Sequence, residues 1–227
     1  MTSWNSSISK IRHSAELFRG LDPRAVDSIL AGAKARCFSS QSVITRQADN
    51  AQQLLLLLKG RARYFFQMPD GRKLILRWIT PGQILGAAAL ASRPSTYIVS
   101  AEAVQDSVAL AWDGPTIRTL ALQFPRLLDN LFLITSDYIS WYVAAHAALI
   151  SESAQERLAH LLLGYAPSIG HRVPGGIELT VTNEELADAA NITPYTASRL
   201  ISRWSRNGAI RKLRGKILLR SPKKLFL

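Results

Sequence analysis

The feature that most restricts how this chain can fold is a pair of capped-helix signals near its C-terminal end. Thr182 and Glu185 form a T-x-x-E capping box, which predicts the start of a short helix. Thr193–Pro194 supplies an N-cap and a first-turn proline for a second helix, which Asn207–Gly208 ends. Between the helices lies Asn191, a residue type that tolerates a left-handed backbone. Two short helices joined by so tight a turn predict a helix-turn-helix.

Positive charge is concentrated in and after the second helix. Residues 191–227 contain ten lysines and arginines and no aspartate or glutamate, so they carry +10 of the formal net charge of +12. After Gly208, Ile210 and Ile217–Leu219 flank a basic turn, which predicts a small hairpin, or wing. Two core helices and a hairpin without a nucleic-acid role are the alternative, which the caps and the acid-free surface together disfavour. The segment therefore predicts double-stranded DNA as the partner.

The outward face of the second helix is expected to enter the major groove. Tyr195 and Arg199 lie one turn apart on this face, and an arginine fork can bind guanine O6 and N7 together. We predict base contacts from Tyr195, Ser198, Arg199 and Ser202, and phosphate contacts from Thr182, Thr193, Thr196, Arg203, Arg206, Arg214 and Lys216.

The pattern of apolar residues changes along the rest of the chain, from helical to strand-like and back to helical spacing. Residues 14–35 predict helical pieces, the second opened by Asp22–Pro23, and residues 37–112 show short apolar runs between turns. These runs predict an antiparallel barrel or sandwich with strands at Ser42–Thr45, Leu54–Lys59, Ala62–Gln67, Lys73–Ile79, Thr96–Ala101 and Val108–Trp112. Residues 153–170 predict an amphipathic helix, and the prolines and glycines from Pro167 to Gly176 predict a loop.

A long helix is predicted from Pro125 to Ile150, and it is apolar on two sides. One side is a heptad seam, and the other is a second stripe formed by Leu128, Phe132, Ile139, Val143 and His146. One side can pack on the barrel and the other on a partner chain, although a central helix inside a monomer would show the same spacing. We favour a dimer helix and assign it to the seam residues Leu131, Ile134, Tyr138, Trp141 and Ala145.

The order of these features resembles the Crp/Fnr family of bacterial transcription regulators. The resemblance lies in TNEELADAANITPYTASRLISRWSRNGAI and RGKILL, and less specifically in PGQILG. It implies an α+β fold with an N-terminal cyclic-nucleotide-binding-type β-barrel (jelly roll), a long dimerisation helix and a C-terminal winged helix-turn-helix. The implied domains are an effector-sensing domain at 1–122, the helix at 123–152 and a DNA-binding domain at 153–227. A homodimer on a palindromic operator, with RNA polymerase as a further partner, is also implied.

The effector region departs from the cAMP-binding pattern of that family. By this resemblance the effector pocket holds Gly86, Ala87, Ser95 and Thr96, but Ala87 replaces the family's glutamate and the arginine before Ser95–Thr96 is missing. Without a carboxylate for ribose and a guanidinium for phosphate, cAMP is not expected to bind. The four-cysteine cluster of oxygen-sensing members is absent, and a lone His146 on an apolar helix face argues against haem.

The remaining composition excludes several functions. No catalytic motif, phosphate-binding glycine loop or metal-ligand spacing is present, so we expect neither an enzyme nor a metal site. Cys37 is the only cysteine, which suits a reducing cytoplasm, and the longest aliphatic run is the five residues Leu54–Leu58, too short to span a membrane. The alternatives kept open are a sensor acting on a protein partner and an effector-independent DNA binder whose barrel is filled by side chains such as Leu85, Ala89, Ile98 and Val99.

Overall fold

The computed structural model describes residues 5–227. Its helices are α1 (Asn5–Ser14), α2 (Pro23–Ala31), α3 (Gly114–Gln123), α4 (Pro125–Ser151), α5 (Ala154–Ile169), α6 (Asn183–Ala189) and α7 (Pro194–Arg206). Its strands are β1 (Lys34–Phe38), β2 (Val43–Thr45), β3 (Gln53–Lys59), β4 (Ala62–Gln67), β5 (Lys73–Ile79), β6 (Ile84–Leu85), β7 (Ser100–Ala103), β8 (Ser107–Asp113), β9 (His171–Val173), β10 (Gly176–Leu179), β11 (Ile210–Leu213) and β12 (Lys216–Leu219). Short 3₁₀ helices cover Glu16–Phe18, Ala87–Leu90 and Pro222–Phe226.

The chain forms two compact units, and the boundary between them falls inside α4, after Trp141. The first unit ends there, and the second contains Tyr142–Leu227 together with Lys73–Ile75 of β5. The first unit is built around two four-stranded sheets, ordered β1-β8-β3-β6 and β2-β7-β4-β5. Side chains of both sheets meet in one core, to which β3 contributes Leu55 and Leu57 and β4 contributes Tyr64. This arrangement confirms the predicted jelly-roll type of β-domain.

Strand β3 is buried on both faces. Leu55 and Leu57 point into the core between the sheets, whereas Leu54, Leu56 and Leu58 point into a second core with α1, α2, α3 and the start of α4. Successive side chains of a strand point to opposite faces, so a strand that is covered on both sides needs an unbroken apolar run. The run of five leucines meets that requirement.

The first part of α4 is fixed within the first unit by apolar packing and by one buried amide. Leu127 and Leu131 are almost fully buried in the helical core. The Asn130 side chain, which is also buried, donates hydrogen bonds to the carbonyl oxygens of Leu17 at 3.0 Å and of Arg19 at 2.8 Å. A buried amide without these partners would cost about 1–3 kcal/mol, so the two bonds also define where the chain before α2 must lie.

The second unit is a winged helix-turn-helix. Its sheet has the order β11-β12-β10-β9, and α6 and α7 pack beside it with the buried side chains of Leu186, Ile201 and Trp204. Strands β11 and β12 pair antiparallel and form the predicted wing. The prediction of a β-rich domain, a long helix and a winged helix-turn-helix is therefore confirmed.

Three local predictions are wrong. The predicted loop at Pro167–Gly176 instead contains the end of α5 and the start of a hairpin. Pro167 lies in the last turn of α5, where its missing N–H removes one helical hydrogen bond close to the end of the helix, and the glycines build a tight turn between β9 and β10, with φ +90° at Gly175. The helix predicted up to residue 35 stops at Ala31, and Lys34 already begins β1.

The third error concerns residues 96–101. The strand lies instead at Ser100–Ala103, and the preceding segment pairs with the loop before β3. The amide of Ala51 donates to the Ser95 carbonyl at 2.8 Å, and the amide of Tyr97 donates to the Asp49 carbonyl at 3.0 Å. Helix α3 was not predicted from the sequence, although the Asp113 side chain caps it by accepting from the Thr116 amide at 2.8 Å.

Candidate nucleic-acid interface

The start of α7 is built by its sequence as an exposed helix N-terminus. Asn191 adopts φ +50°, the left-handed conformation that the tight turn requires. The Thr193 hydroxyl oxygen accepts a hydrogen bond from the Thr196 amide at 3.1 Å, and the two threonine hydroxyls lie 2.9 Å apart. Pro194 follows at the first helical position, where its missing N–H has no cost. Pro194 has no N–H and the amides of Thr196 and Ala197 already bond Thr193, which leaves the Tyr195 amide of this first turn for a phosphate at the helix end.

The two faces of α7 differ sharply. Ala197, Leu200, Ile201 and Trp204 are buried against the rest of the unit, which fixes the rotation of the helix about its axis. On the opposite face Tyr195 is 77% exposed, and Arg199 and Ser202 are exposed as well, whereas Ser198 is half-buried. The structure thus brings the predicted base-contacting side chains onto one outward surface, with Ser198 at its edge.

Three of the predicted DNA-contacting arginines have no protein partner in the described part of the chain. Within residues 5–227, the side chains of Arg199, Arg206 and Arg214 form no hydrogen bond or ion pair, and all three are exposed. A guanidinium that has no hydrogen bond within the protein can bind an anion without first breaking such a bond. Thr182 is also exposed, and its hydroxyl oxygen accepts from the Glu185 amide at 3.1 Å, which confirms the predicted capping box.

Two of the predicted phosphate-contacting residues have protein partners. The Arg203 guanidinium donates to the Gln155 side-chain oxygen at 3.0 Å and to the Leu227 main-chain oxygen at 2.9 Å, so it holds the C-terminal segment. The Lys216 ammonium lies 2.7 Å from a Glu178 carboxylate oxygen, with which it forms a cross-strand ion pair. Both cations have a protein partner, because their strand or helix positions face neighbouring elements that the sequence pattern alone did not locate.

One residue that matters for this surface was missed in the sequence. Arg157, in the first turns of α5, donates to three main-chain carbonyls, those of Glu152, Ala190 and Asn191. The last two belong to the turn between α6 and α7. The only sequence signal was a cation near a helix N-terminus, where the helix dipole disfavours positive charge.

The predicted dimer seam of α4 lies partly in the chain's own core, although its Trp141 is 40% exposed. Leu131 is 3% exposed and Ile134 packs on the same helical core, while Tyr138 packs on the core between the sheets. The start of the heptad seam therefore serves the chain's own core. The second stripe is exposed over its whole length: Leu128 is 50%, Phe132 71%, Ile139 59% and Val143 63% exposed.

The predicted effector residues lie next to the start of β3 and the loop before it: Gly86 is beside Gln53, Ser95 bonds Ala51, and Thr96 forms a bridge with Asn50. Gly86 has φ +78°, and a side chain there would approach the Gln53 carbonyl oxygen to 2.4 Å, so only glycine fits. The Tyr97 hydroxyl bonds both the amide of Gln53, at 3.1 Å, and its carbonyl oxygen, at 3.2 Å. Ala87 begins the adjoining 3₁₀ helix, whose last carbonyls accept from the Arg118 guanidinium at 3.0 and 3.3 Å.

Two family models match the chain. Residues 35–124 match the cyclic nucleotide-binding domain, and residues 156–226 match the Crp-like helix-turn-helix domain. The first match lies within the β-domain and the second within the winged helix-turn-helix, in the same order as in the fold.

The chain belongs to the Crp/Fnr family.

Individual members are similar over most of their length. The CRP-like cAMP-activated global transcriptional regulator of Mycobacterium tuberculosis is 22% identical over 214 residues, which cover 93% of this chain and 95% of that protein. Transcriptional regulator LdrP of Thermus thermophilus is 29% identical over 174 residues, which cover 76% and 85%. A solved CRP-family regulator of Thermus thermophilus has a TM-score of 0.72 and 25% identity, and the match covers 84% of this chain and 94% of that one.

As a Crp/Fnr protein, the chain is a DNA-binding transcription regulator. Arg93, which lies two residues before Ser95, is exposed. Of the helices in the described part of the chain, none combines the length and apolarity needed to cross a membrane.

Proposed function

We propose that this Crp/Fnr chain acts as a homodimer that reads a two-fold symmetric operator, with one α7 helix in each of two successive major grooves. The carrying observation is the outward face of α7, where Tyr195 and Arg199 are exposed on a capped and well-packed helix. The half-sites of such an operator lie about 34 Å apart, or one turn of DNA.

The base contacts come from Tyr195, Ser198, Arg199 and Ser202, of which Arg199 carries the largest share. A bidentate arginine–guanine contact contributes about 1–3 kcal/mol of discrimination against other bases. The phosphate contacts come from hydroxyl groups at helix starts and from cations that have no protein partner among residues 5–227: Thr182, Thr193, Thr196, Arg206 and Arg214. Arg203 and Lys216 do not belong to this set, because each already has a protein partner.

The dimer surface is the second stripe of α4. Leu128, Phe132, Ile139 and Val143 follow one another by 4, 7 and 4 residues, which is the spacing of a coiled-coil seam. Ile150, 80% exposed, extends the stripe by a further seven residues. An exposed apolar row of this length on a single helix marks a protein interface, since isolated surface residues would not keep the heptad spacing.

The β-domain does not offer the charged groups that a cyclic nucleotide needs, so its effector is a different molecule or none. Leu85 and Ala89 are buried, and Val99 packs against the core between the sheets, whereas Ile98 is 80% exposed. Three of the four proposed filling residues thus occupy apolar space, which favours an effector-independent regulator as the second candidate. RNA polymerase is the further partner expected for either form.

Selection from random duplex DNA with ligand-free protein tests the proposal. A palindrome with half-sites about ten base pairs apart is the expected result. Affinity governed only by salt, with no enriched sequence, would leave two explanations. Repeating the selection in cell extract separates them: enrichment there identifies a missing effector, and continued failure refutes sequence-specific binding in favour of a sensor that acts on a protein partner.

A further inference from the structure

We propose that Arg157 is a positioning residue that ties the helix-turn-helix to the end of the long helix, so that the direction of α7 follows the last turn of α4. The proposal rests on the DNA-reading role of α7 proposed above. It concerns only contacts within the second unit, which contains the end of α4, α5 and the DNA-binding helices.

The guanidinium of Arg157 joins three separate pieces of backbone. Its Nη1 donates to the Glu152 carbonyl at 2.7 Å, its Nε to the Ala190 carbonyl at 3.0 Å and its Nη2 to the Asn191 carbonyl at 3.3 Å. Glu152 follows directly after α4, and Ala190 is the C-cap of α6. A planar fork with five N–H groups is the side chain that can bind several carbonyls at fixed angles, whereas a lysine ammonium offers one compact centre.

The three carbonyls lie where positive charge is favoured. Carbonyls at the end of a helix lack an intrahelical partner and carry the negative end of the helix dipole. Arg157 satisfies the end of α4 and the end of α6 at once. Because it stands in the unfavourable first turns of its own helix, these bonds explain why a cation occupies the position.

Both ends of the link are fixed by further contacts. The Glu152 carboxylate oxygens lie 3.0 Å from His160 Nδ1, and this contact holds the residue after α4 against α5. At the other end, the left-handed Asn191 is followed at once by the Thr193 cap of α7, and the Ile192 amide donates to the Ala187 carbonyl at 2.9 Å. A displacement of the Arg157 fork is therefore transmitted to the first turn of the recognition helix.

A second link runs from α5 to the other end of the same helix. Two residues before Arg157, the Gln155 side chain accepts from Arg203 of α7 at 3.0 Å and donates to the Leu225 carbonyl at 3.0 Å. Helix α5 thus holds the turn before α7 through Arg157 and the last turns of α7 through Gln155. Only the Arg157 link also reaches Glu152, the residue that follows directly after the long helix.

The test compares Arg157→Gln and Arg157→Lys with wild type and with Arg24→Gln. The control removes the same charge from an exposed position on α2, in the first unit. Each protein is titrated with the selected operator and with random-sequence duplex at several salt concentrations, and amide hydrogen exchange is measured without DNA. Urea unfolding gives the folded fraction of each variant.

We expect Arg157→Gln to lower operator affinity by at least about tenfold, with unchanged random-sequence affinity and salt dependence, since a lost charged hydrogen bond is of that size. Arg157→Lys should fall between wild type and Arg157→Gln. Exchange should rise at residues 190–193 in both variants, and Arg24→Gln should match wild type.

Three results would overturn the proposal. A weaker salt dependence in Arg157→Gln would show a direct phosphate contact. A loss of operator affinity that equals the unfolded fraction would show a role in stability alone, and unchanged exchange at 190–193 in the folded Arg157→Lys protein would show that no link exists. If the wild-type protein selects no sequence, the proposed DNA-reading role of α7 has failed. The hydrogen-exchange measurement then tests by itself whether Arg157 links α4 to the turn before α7.

Discussion

Two arginines one turn apart on α7 should respond differently to removal. Arg206 is exposed and has no bond within residues 5–227, whereas Arg203 holds Gln155 and the Leu227 oxygen. Each phosphate contact contributes about 0.9 to the slope of log affinity against log salt. A dimer loses two contacts in Arg206→Ala, so the slope should become shallower by about 1.8. Between about 50 and 200 mM salt, wild-type affinity should then fall about 12-fold more than that of the variant.

Arg203→Ala should leave that slope unchanged and should instead lower the free energy of unfolding. Its two hydrogen bonds are exposed to solvent, so the expected loss is about 1 kcal/mol. Fluorescence-anisotropy titrations with operator DNA at four or more salt concentrations give the slopes, and urea titration gives the stability. Equal slope changes in the two variants would refute the division between a DNA-facing and a protein-facing arginine.

Three further changes test other parts of the structure. Asn191 has φ +50°, a left-handed conformation that glycine adopts readily and alanine does not. Asn191→Ala should therefore lower the free energy of unfolding by about 1 kcal/mol, whereas Asn191→Gly should not. Equal urea midpoints for the two variants would contradict the left-handed turn. Phe132→Asp should convert the dimer to a monomer in sedimentation velocity, and Leu122→Asp, at an 81% exposed position on α3, should leave the sedimenting mass unchanged. The Ser153 amide donates a hydrogen bond to the Glu156 carboxylate and holds the pKa of that carboxyl below its ordinary 4.5. Glu156→Ala should therefore lower the free energy of unfolding at pH 7, and this loss should vanish as the pH falls through the lowered pKa. Urea titrations of wild type and variant across that pH range measure the difference.

The helix-turn-helix was predictable because its signals are local. A capping box, a threonine cap before a proline and an asparagine in the turn each act on backbone within four residues, and the structure places Thr182, Asn191 and Thr193 in those roles. The hairpin turns of the β-domain are similarly local. The type and order of the main elements therefore follow from the sequence with little tertiary information.

The partners of individual side chains could not be predicted in the same way. Arg203 and Arg206 are identical in type and lie on one helix, and only the position of the C-terminal segment distinguishes them. On α4 both apolar stripes have helical spacing, and only the packing of Leu131 on the helical core shows which stripe is left for a partner. Such contacts depend on residues far apart in the chain, about which local spacing says nothing.

The five leucines of β3 are chemically identical, which affects how the strand is aligned with its neighbours in the sheet. A shift by one residue would exchange the leucines on the two faces, and the only polar side chain brought into a buried position would be the one at an end of the run, Gln53 or Lys59, so the central leucines do not themselves determine the alignment of the strand. The information lies at its first residue, where the Tyr97 hydroxyl bonds both main-chain groups of Gln53 and Gly86 leaves room only for that carbonyl. Tyr97 therefore fixes the alignment at the start of the strand, in addition to the polar residues that end the leucine run, and its loss should weaken the preference for the observed register.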